Sequence, residues 1–403
     1  PMTPNAHLNS ARPINLALQG GGSHGAFTWG VLDALLADTR LTLEGISGTS
    51  AGAVNAVALA SGYAKGQREG TDPRQSAREA LRHIWEEVGR MGQLGSLQKT
   101  LADTLLWGFP KELAPTNMFA TALRSWYSPY HSNPLDINPL LDLLKREIDF
   151  DAVARLQAPR VFVSATHIKT GKAALFSGAR LAPQAVMASA CLPSLFRAVE
   201  IEGEHYWDGG YAVNPAMTPL IDHCESADIV LVQINPLVRE DTPKTPEDIQ
   251  DRINELTFNA SLLTQMRAID FINRLLAQGL LSGSRCKTIR LHRIDGGQAI
   301  QRFPASSRAS ADAGLIRSLF DMGHKAGQDW LAQHFDAVGQ HSTVDIGRDY
   351  LDDTRLDSAQ REPVGTAAPK PGHPSPSTSP NEPPAPRRGL RSLISRLFSR
   401  MKR

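Results

Sequence analysis

Short unbroken apolar runs alternate along this chain with longer stretches whose apolar positions recur every three or four residues. INLALQ (14–19), LTLEGI (41–46), RVFVSATHI (160–168), AALFS (173–177), DIVLVQINP (228–236) and TIRLHRI (288–294) predict strands, the first of them running into glycines. Residues 25–37 and Ala51–Ser61 predict helices, 247–281 one or two long helices, and 306–336 a last helical block. A strand apolar on both sides must be covered on both faces. The pattern therefore predicts an α/β fold of three layers, with helices on both faces of a mostly parallel central sheet. A flexible N-terminus (1–12) would precede a folded domain at 13–340, with its helical C-terminal part at 246–340. No internal repeat is visible.

Residues 75–155 are mostly helical and rich in large apolar side chains, among them Leu105, Leu106, Trp107, Phe109, Met118, Phe119, Trp126 and Tyr127. Two readings stand side by side: an ordinary packed helical layer, or a cap that receives acyl chains.

From about residue 357 the pattern stops. Residues 357–388 are dense in proline and serine and have little to bury, which predicts a disordered linker. In the following segment, 389–403, Leu390, Leu393, Ile394, Leu397, Phe398 and Met401 fall on one helical face, with arginine around them. This predicts a basic amphipathic helix.

Charge sharpens that picture. The whole chain of 403 residues carries a net charge of only +2, but residues 387–403 hold seven Lys/Arg and no acid. Without them 36 basic residues face 41 acidic ones, a net of −5. Such a tail suits an anionic membrane surface, the alternative being a disordered tail that binds any polyanion. Nucleic acid is not expected as a partner, because aromatic residues do not interleave with the basic ones and the remainder is acidic. Cys191, Cys224 and Cys286 are far apart, with neither a disulfide pattern nor metal-ligand spacing. Neither a signal peptide nor eighteen consecutive apolar residues is present, so the expectation is a cytoplasmic, peripherally membrane-associated protein. No cofactor or metal is expected, and oligomeric state is left open.

Candidate chemistry begins at GISGTSAGAVNAVALA (45–60), where Ser50 stands between Gly48 and Gly52 in a G-x-S-x-G pattern. That spacing exposes a serine on a tight strand-to-helix turn and aims the positive end of the helix at it. The alternative is that the small residues only let a helix pack on the sheet. GGGSHG (20–25) also follows a strand and opens a helix, and its amides are placed to line an anion pocket. A dinucleotide fingerprint with Glu44 as the ribose-binding acid is the rival reading. The third motif is YWDGGYAVNPA (206–216), in which Asp208 precedes Gly209 and Gly210. A solvated turn is the bland reading of Asp-Gly.

In this order the three motifs resemble those of the patatin-like phospholipases, over roughly residues 14–220. The stretch ASACLPSLFRAVEIEGEHYWDGG (188–210) is similar to the family's run into its aspartate. The resemblance implies a lipid acyl hydrolase acting on phospholipid or another acyl lipid, with Ser50 as nucleophile, Asp208 as base, and Gly20, Gly21 and Gly22 as the oxyanion hole. Gly25, Gly48, Gly52, Gly209 and Gly210 are its motif glycines. Where the family usually carries arginine or lysine in the glycine loop this chain has His24, a titratable loop cation expected to lose its charge near pH 6.5. Two alternatives remain at this level: a Ser-Asp-His triad drawing on His292, His324 or His334, and a catalytically silent lipid-binding protein of the same fold.

Overall fold

The computed structural model describes residues 11–107, 138–193, 196–283, 286–303, 307–308 and 310–351, and side chains over these except at 94–107 and 247. All of them belong to one unit, Pro1–Thr354. The expected linker (357–388), the amphipathic helix (389–403), most of the N-terminal segment and the middle of the cap-like segment lie outside the described residues.

The chain opens with β1 (Arg12–Leu18), α1 (Gly25–Ala37), β2 (Leu41–Thr49) and α2 (Ala51–Glu69). It continues through α3 (Pro73–Trp107), α4 (Pro139–Glu147) and α5 (Phe150–Arg155) to β3 (Arg160–His167) and β4 (Ala173–Phe176). Then come α6 (Pro183–Ser189), β5 (Val199–Ile201), β6 (Glu204–Asp208), α7 (Thr218–His223), β7 (Asp228–Gln233) and α8 (Pro246–Ala277). β8 (Arg290–Asp295), α9 (Gly297–Gln301), α10 (Ala313–His334) and α11 (Ile346–Tyr350) complete it.

One sheet runs β5-β6-β3-β2-β1-β7-β8, with β4 paired to β3. The stretch from β3 to β8 is parallel, and β4, β5 and β6 add antiparallel pairings at its end. Alternation along the strands divides the core in two. Leu16 and Leu18 of β1, with Val230 and Val232 of β7, join a cluster with α1, α2, α3 and α10. Ala17, Ile229 and Leu231 point the other way, into a cluster with Leu220 of α7 and Leu262 and Met266 of α8. This is the expected three-layer arrangement.

Two elements run further than their periodicity suggests. α2 continues past Ser61 to Glu69 because Gly62 and Gly66 lie against the start of α3, where a Cβ on Gly62 would stand 2.5 Å from the Ser76 carbonyl oxygen. α10 starts at Ala313, not 306, because Asp312 caps it: its Oδ1 accepts the Leu315 N–H at 2.8 Å.

Candidate active site

The register of β3 brings two strand ends together. Thr49, the last residue of β2, is paired with Ser164, and Asp208, the last of β6, is paired with the next residue, Ala165. The residue after Thr49 is Ser50. The serine elbow and the aspartate thus leave the sheet at neighbouring positions, although 158 residues separate them in sequence.

Ser50 has φ 55° and ψ −121°, a left-handed backbone that costs a non-glycine residue about 1–3 kcal/mol. The surroundings hold it there. Its N–H donates to Ser189 Oγ at 2.8 Å, and its carbonyl accepts the Ala53 and Val54 N–H groups that begin α2. The side chain lies at the N-terminus of that helix, in the positive field of its unpaired amides.

The glycine loop passes directly beside it. A Cβ on Gly20 would stand 2.6 Å from Ser50 Cβ, so only glycine lets the loop come this close. Gly20 donates its own N–H to Asn214 Oδ1 at 2.7 Å and accepts from Asn235 Nδ2 at 2.7 Å. Gln19 accepts the Ile234 and Asn235 N–H groups, both at 3.0 Å, so the loop is tied to the end of β7. The Gly20 N–H is thus already engaged within the fold. Gly48, Gly52 and Gly209 sit at backbone crossings around the elbow, and Gly25 lies against the Ala51 methyl and the Trp85 ring. Gly210 meets Phe258 of α8, whose ring would be 1.9 Å from a Cβ there.

Asp208 is 1% exposed. Its Oδ1 accepts the Gly210 N–H at 2.7 Å, its own N–H donates to the Cys191 carbonyl at 2.8 Å, and its carbonyl accepts from Thr166 Oγ1 at 2.7 Å. Burial pushes the carboxyl up to about 7, against the lowering effects of the Gly210 N–H and the Ser50 hydroxyl. Oδ2 meets full hydrogen-bond geometry with no described residue, although Ser50 lies near enough to act on the carboxyl's charge. The geometry is that of a serine and a carboxylate in proximity, with an acceptor lone pair still open.

Both groups open into a cavity of about 650 Å³, walled by apolar side chains that include Trp85, Val88 and Met91 of α3, Leu140 just inside α4, and Phe258. Helices of the expected cap-like segment thus form part of the cleft. Residues 108–137 of that segment lie outside the described residues.

His24 corrects the expectation placed on it. It is 1% exposed, and its Nε2 shares a 2.7 Å hydrogen bond with Ser307 Oγ. Burial, reinforced by the Arg308 guanidinium, lowers its pKa to about 3. That burial favours the neutral imidazole over a loop cation titrating near 6.5. Sequence reasoning missed Asn214, Asn235 and Arg308; two of these lie in Asn-Pro pairs, a weak sign of a structured turn.

The rival readings lose their geometry. Glu44 lies toward the opposite end of β2 from Thr49, where its carboxylate accepts the Glu225 and Ser226 N–H groups. His292 is buried against Asp228 at 3.0 Å, and His324 lies 3.1 Å from Asp33. His334 stands beside Trp330, and among the described residues no histidine lines the cavity.

A glycine loop, a serine elbow and a buried aspartate at one end of a mixed α/β sheet define the patatin fold. The patatin-like phospholipase family model matches residues 16–221, just over half of the chain, and the chain belongs to that family. No curated protein matches the sequence. Among solved structures, VipD from Legionella pneumophila is similar at 13% identity and a TM-score of 0.35, over 85% of this chain and 73% of that one. Human GIVD cytosolic phospholipase A2, in complex with methyl gamma-linolenyl fluorophosphonate, is similar at 12% identity and a TM-score of 0.36, over 84% of this chain and 60% of that one. ExoU-SpcU from the type III secretion system of Pseudomonas aeruginosa gives 18% identity and a TM-score of 0.31, over 82% and 62%. No helix among the described residues is long and apolar enough to cross a membrane.

Proposed function

We propose that this protein is a lipid acyl hydrolase of the phospholipase A type, working through Ser50 and Asp208. The observation that carries the reading is the meeting of these two residues in an apolar-walled cleft, at the ends of β2 and β6 where those strands pair with adjacent residues of β3.

Asp208 Oδ2 takes the Ser50 hydroxyl proton as Oγ attacks the ester carbonyl. The oxyanion is held by the Gly21 and Gly22 N–H groups, one well-placed donor contributing about 3 kcal/mol. Collapse expels the alcohol, which leaves with the proton from Asp208. Water then attacks the acyl-enzyme, Asp208 takes its proton, and the fatty acid departs as Ser50 recovers its hydrogen. The upward displacement of the Asp208 carboxyl makes it a far better base than an ordinary carboxylate, and the elbow exposes Oγ for attack.

The basic segment 389–403 holds the enzyme at anionic membrane surfaces, and the linker 357–388 tethers it there. The test of the activity is mass spectrometry of products from a mixed lipid extract. Parent protein releases free fatty acid and the matching lysolipid, and Ser50→Ala releases neither. Equal release by both proteins removes the proposal.

A further inference from the structure

Two ties join Ser50 to Asp208, and the pairing of both strands with β3 is only the first. The second is the short turn that ends α6. Ser189, the last residue of that helix, is fully buried, and its Oγ accepts the Ser50 N–H at 2.8 Å. Two residues on, the Cys191 carbonyl accepts the Asp208 N–H at 2.8 Å. Three consecutive residues therefore hold the backbone of both groups. The turn is itself anchored: Val186 and Met187 of α6 are buried in one core cluster with Val163 of β3, the Ala190 N–H donates to the Val186 carbonyl at 3.0 Å, and Cys191 Sγ donates to the Arg197 carbonyl at 2.9 Å.

The sheet alone does not fix the serine. Ser50 lies one residue past the last pair between β2 and β3, in a backbone conformation unfavourable for a residue with a Cβ, so its amide must be held from outside the ladder. Its carbonyl is taken by α2, and its N–H by Ser189. Transfer of the Oγ proton to Oδ2 depends on the separation of two side chains, and a displacement of about 1 Å costs about a hundred-fold in rate. A hydroxyl that acts on one group from the turn that holds the other is placed to set that separation. Ala190 and Leu192 of the same stretch line the cavity into which both groups open.

We propose that Ser189 is a positioning residue of the reaction, holding the Ser50 elbow at the separation from Asp208 that proton transfer requires. The assignment rests on the hydrolase reading and adds to it the residue that prepares the nucleophile.

The test is hydrolysis of a soluble short-chain ester by the full chain, together with the rate and final extent of fluorophosphonate labelling at Ser50. Ser189→Ala is expected to lower both kcat and the labelling rate by at least about ten-fold, with KM unchanged and labelling still running to one adduct per chain, because the protein is folded and only its nucleophile is displaced. Ser189→Thr keeps the acceptor oxygen and Ser189→Val has the same shape without it, so the threonine variant should turn over at least about ten-fold faster than the valine variant. A parent-like kcat in Ser189→Ala, equal rates for the threonine and valine variants, or a loss accounted for by a smaller labelled fraction reacting at the parent's rate overturns the proposal. Should Ser189→Ala fail to fold, the ratio of the threonine to the valine variant decides. A parent that takes no label at Ser50 removes the hydrolase reading, whereas a parent labelled no faster than Ser189→Ala removes the positioning role and leaves that reading standing.

Discussion

Replacing Asp208 with asparagine should stabilise the protein at neutral pH and abolish its activity. The folded chain keeps the Asp208 proton up to about pH 7, whereas the unfolded chain gives it up near 3.8. The folded state therefore binds more protons across that interval, so the contribution of this carboxyl to stability is full below pH 4 and lost as pH rises toward 7. A gap of about three pH units, at 1.36 kcal/mol each, amounts to about 4 kcal/mol. Asparagine does not titrate, and its Oδ1 still accepts the Gly210 N–H. Urea unfolding of both proteins at pH 5 and pH 8 isolates the effect, because every other group titrates equally in the two. Between pH 5 and the folded pKa near 7 about two of the three units remain, so the stability of Asp208→Asn relative to the parent should rise by about 3 kcal/mol. A difference that changes by less than about 0.5 kcal/mol, or that moves in the parent's favour, would refute the claim that burial dominates at this carboxyl.

The same displacement governs turnover. With a soluble short-chain ester, kcat/KM should rise about ten-fold per pH unit below 7 and level off above it; an ascending limb near pH 4 would contradict this. His292→Ala and His324→Ala should retain most turnover, since neither ring reaches the cavity; a loss as large as that of Ser50→Ala would restore the triad. Deleting residues 387–403 should weaken binding to anionic vesicles, by about 1 kcal/mol per cation engaged, and spare the soluble ester; unchanged vesicle binding in a sedimentation assay would remove that role.

The first two βα units were legible because their signals are local. Unbroken apolar strands end in glycines, and helices rich in alanine follow. The hairpin of β5 and β6 was not. Its strands have only three and five residues, mix glutamate and histidine with apolar positions, and turn through Glu202 and Gly203 at φ 55° and 81°. Ser50 and Asp208 were found by motif, but their meeting depends on β3 register, which is set by long-range pairing. The burial of His24 and the arrival of Arg308 share one cause invisible in local pattern. A turn nearly three hundred residues downstream packs on the glycine loop, where it desolvates the histidine and brings Arg308 to the cavity wall.

Fluorophosphonate labelling followed by intact-mass measurement tests the serine and its base together. The parent should gain one adduct, located on Ser50, Ser50→Ala should gain none, and Asp208→Asn should react at least about a hundred-fold more slowly. An unlabelled parent, or a Ser50→Ala protein that is labelled as fast as the parent, would contradict the dyad.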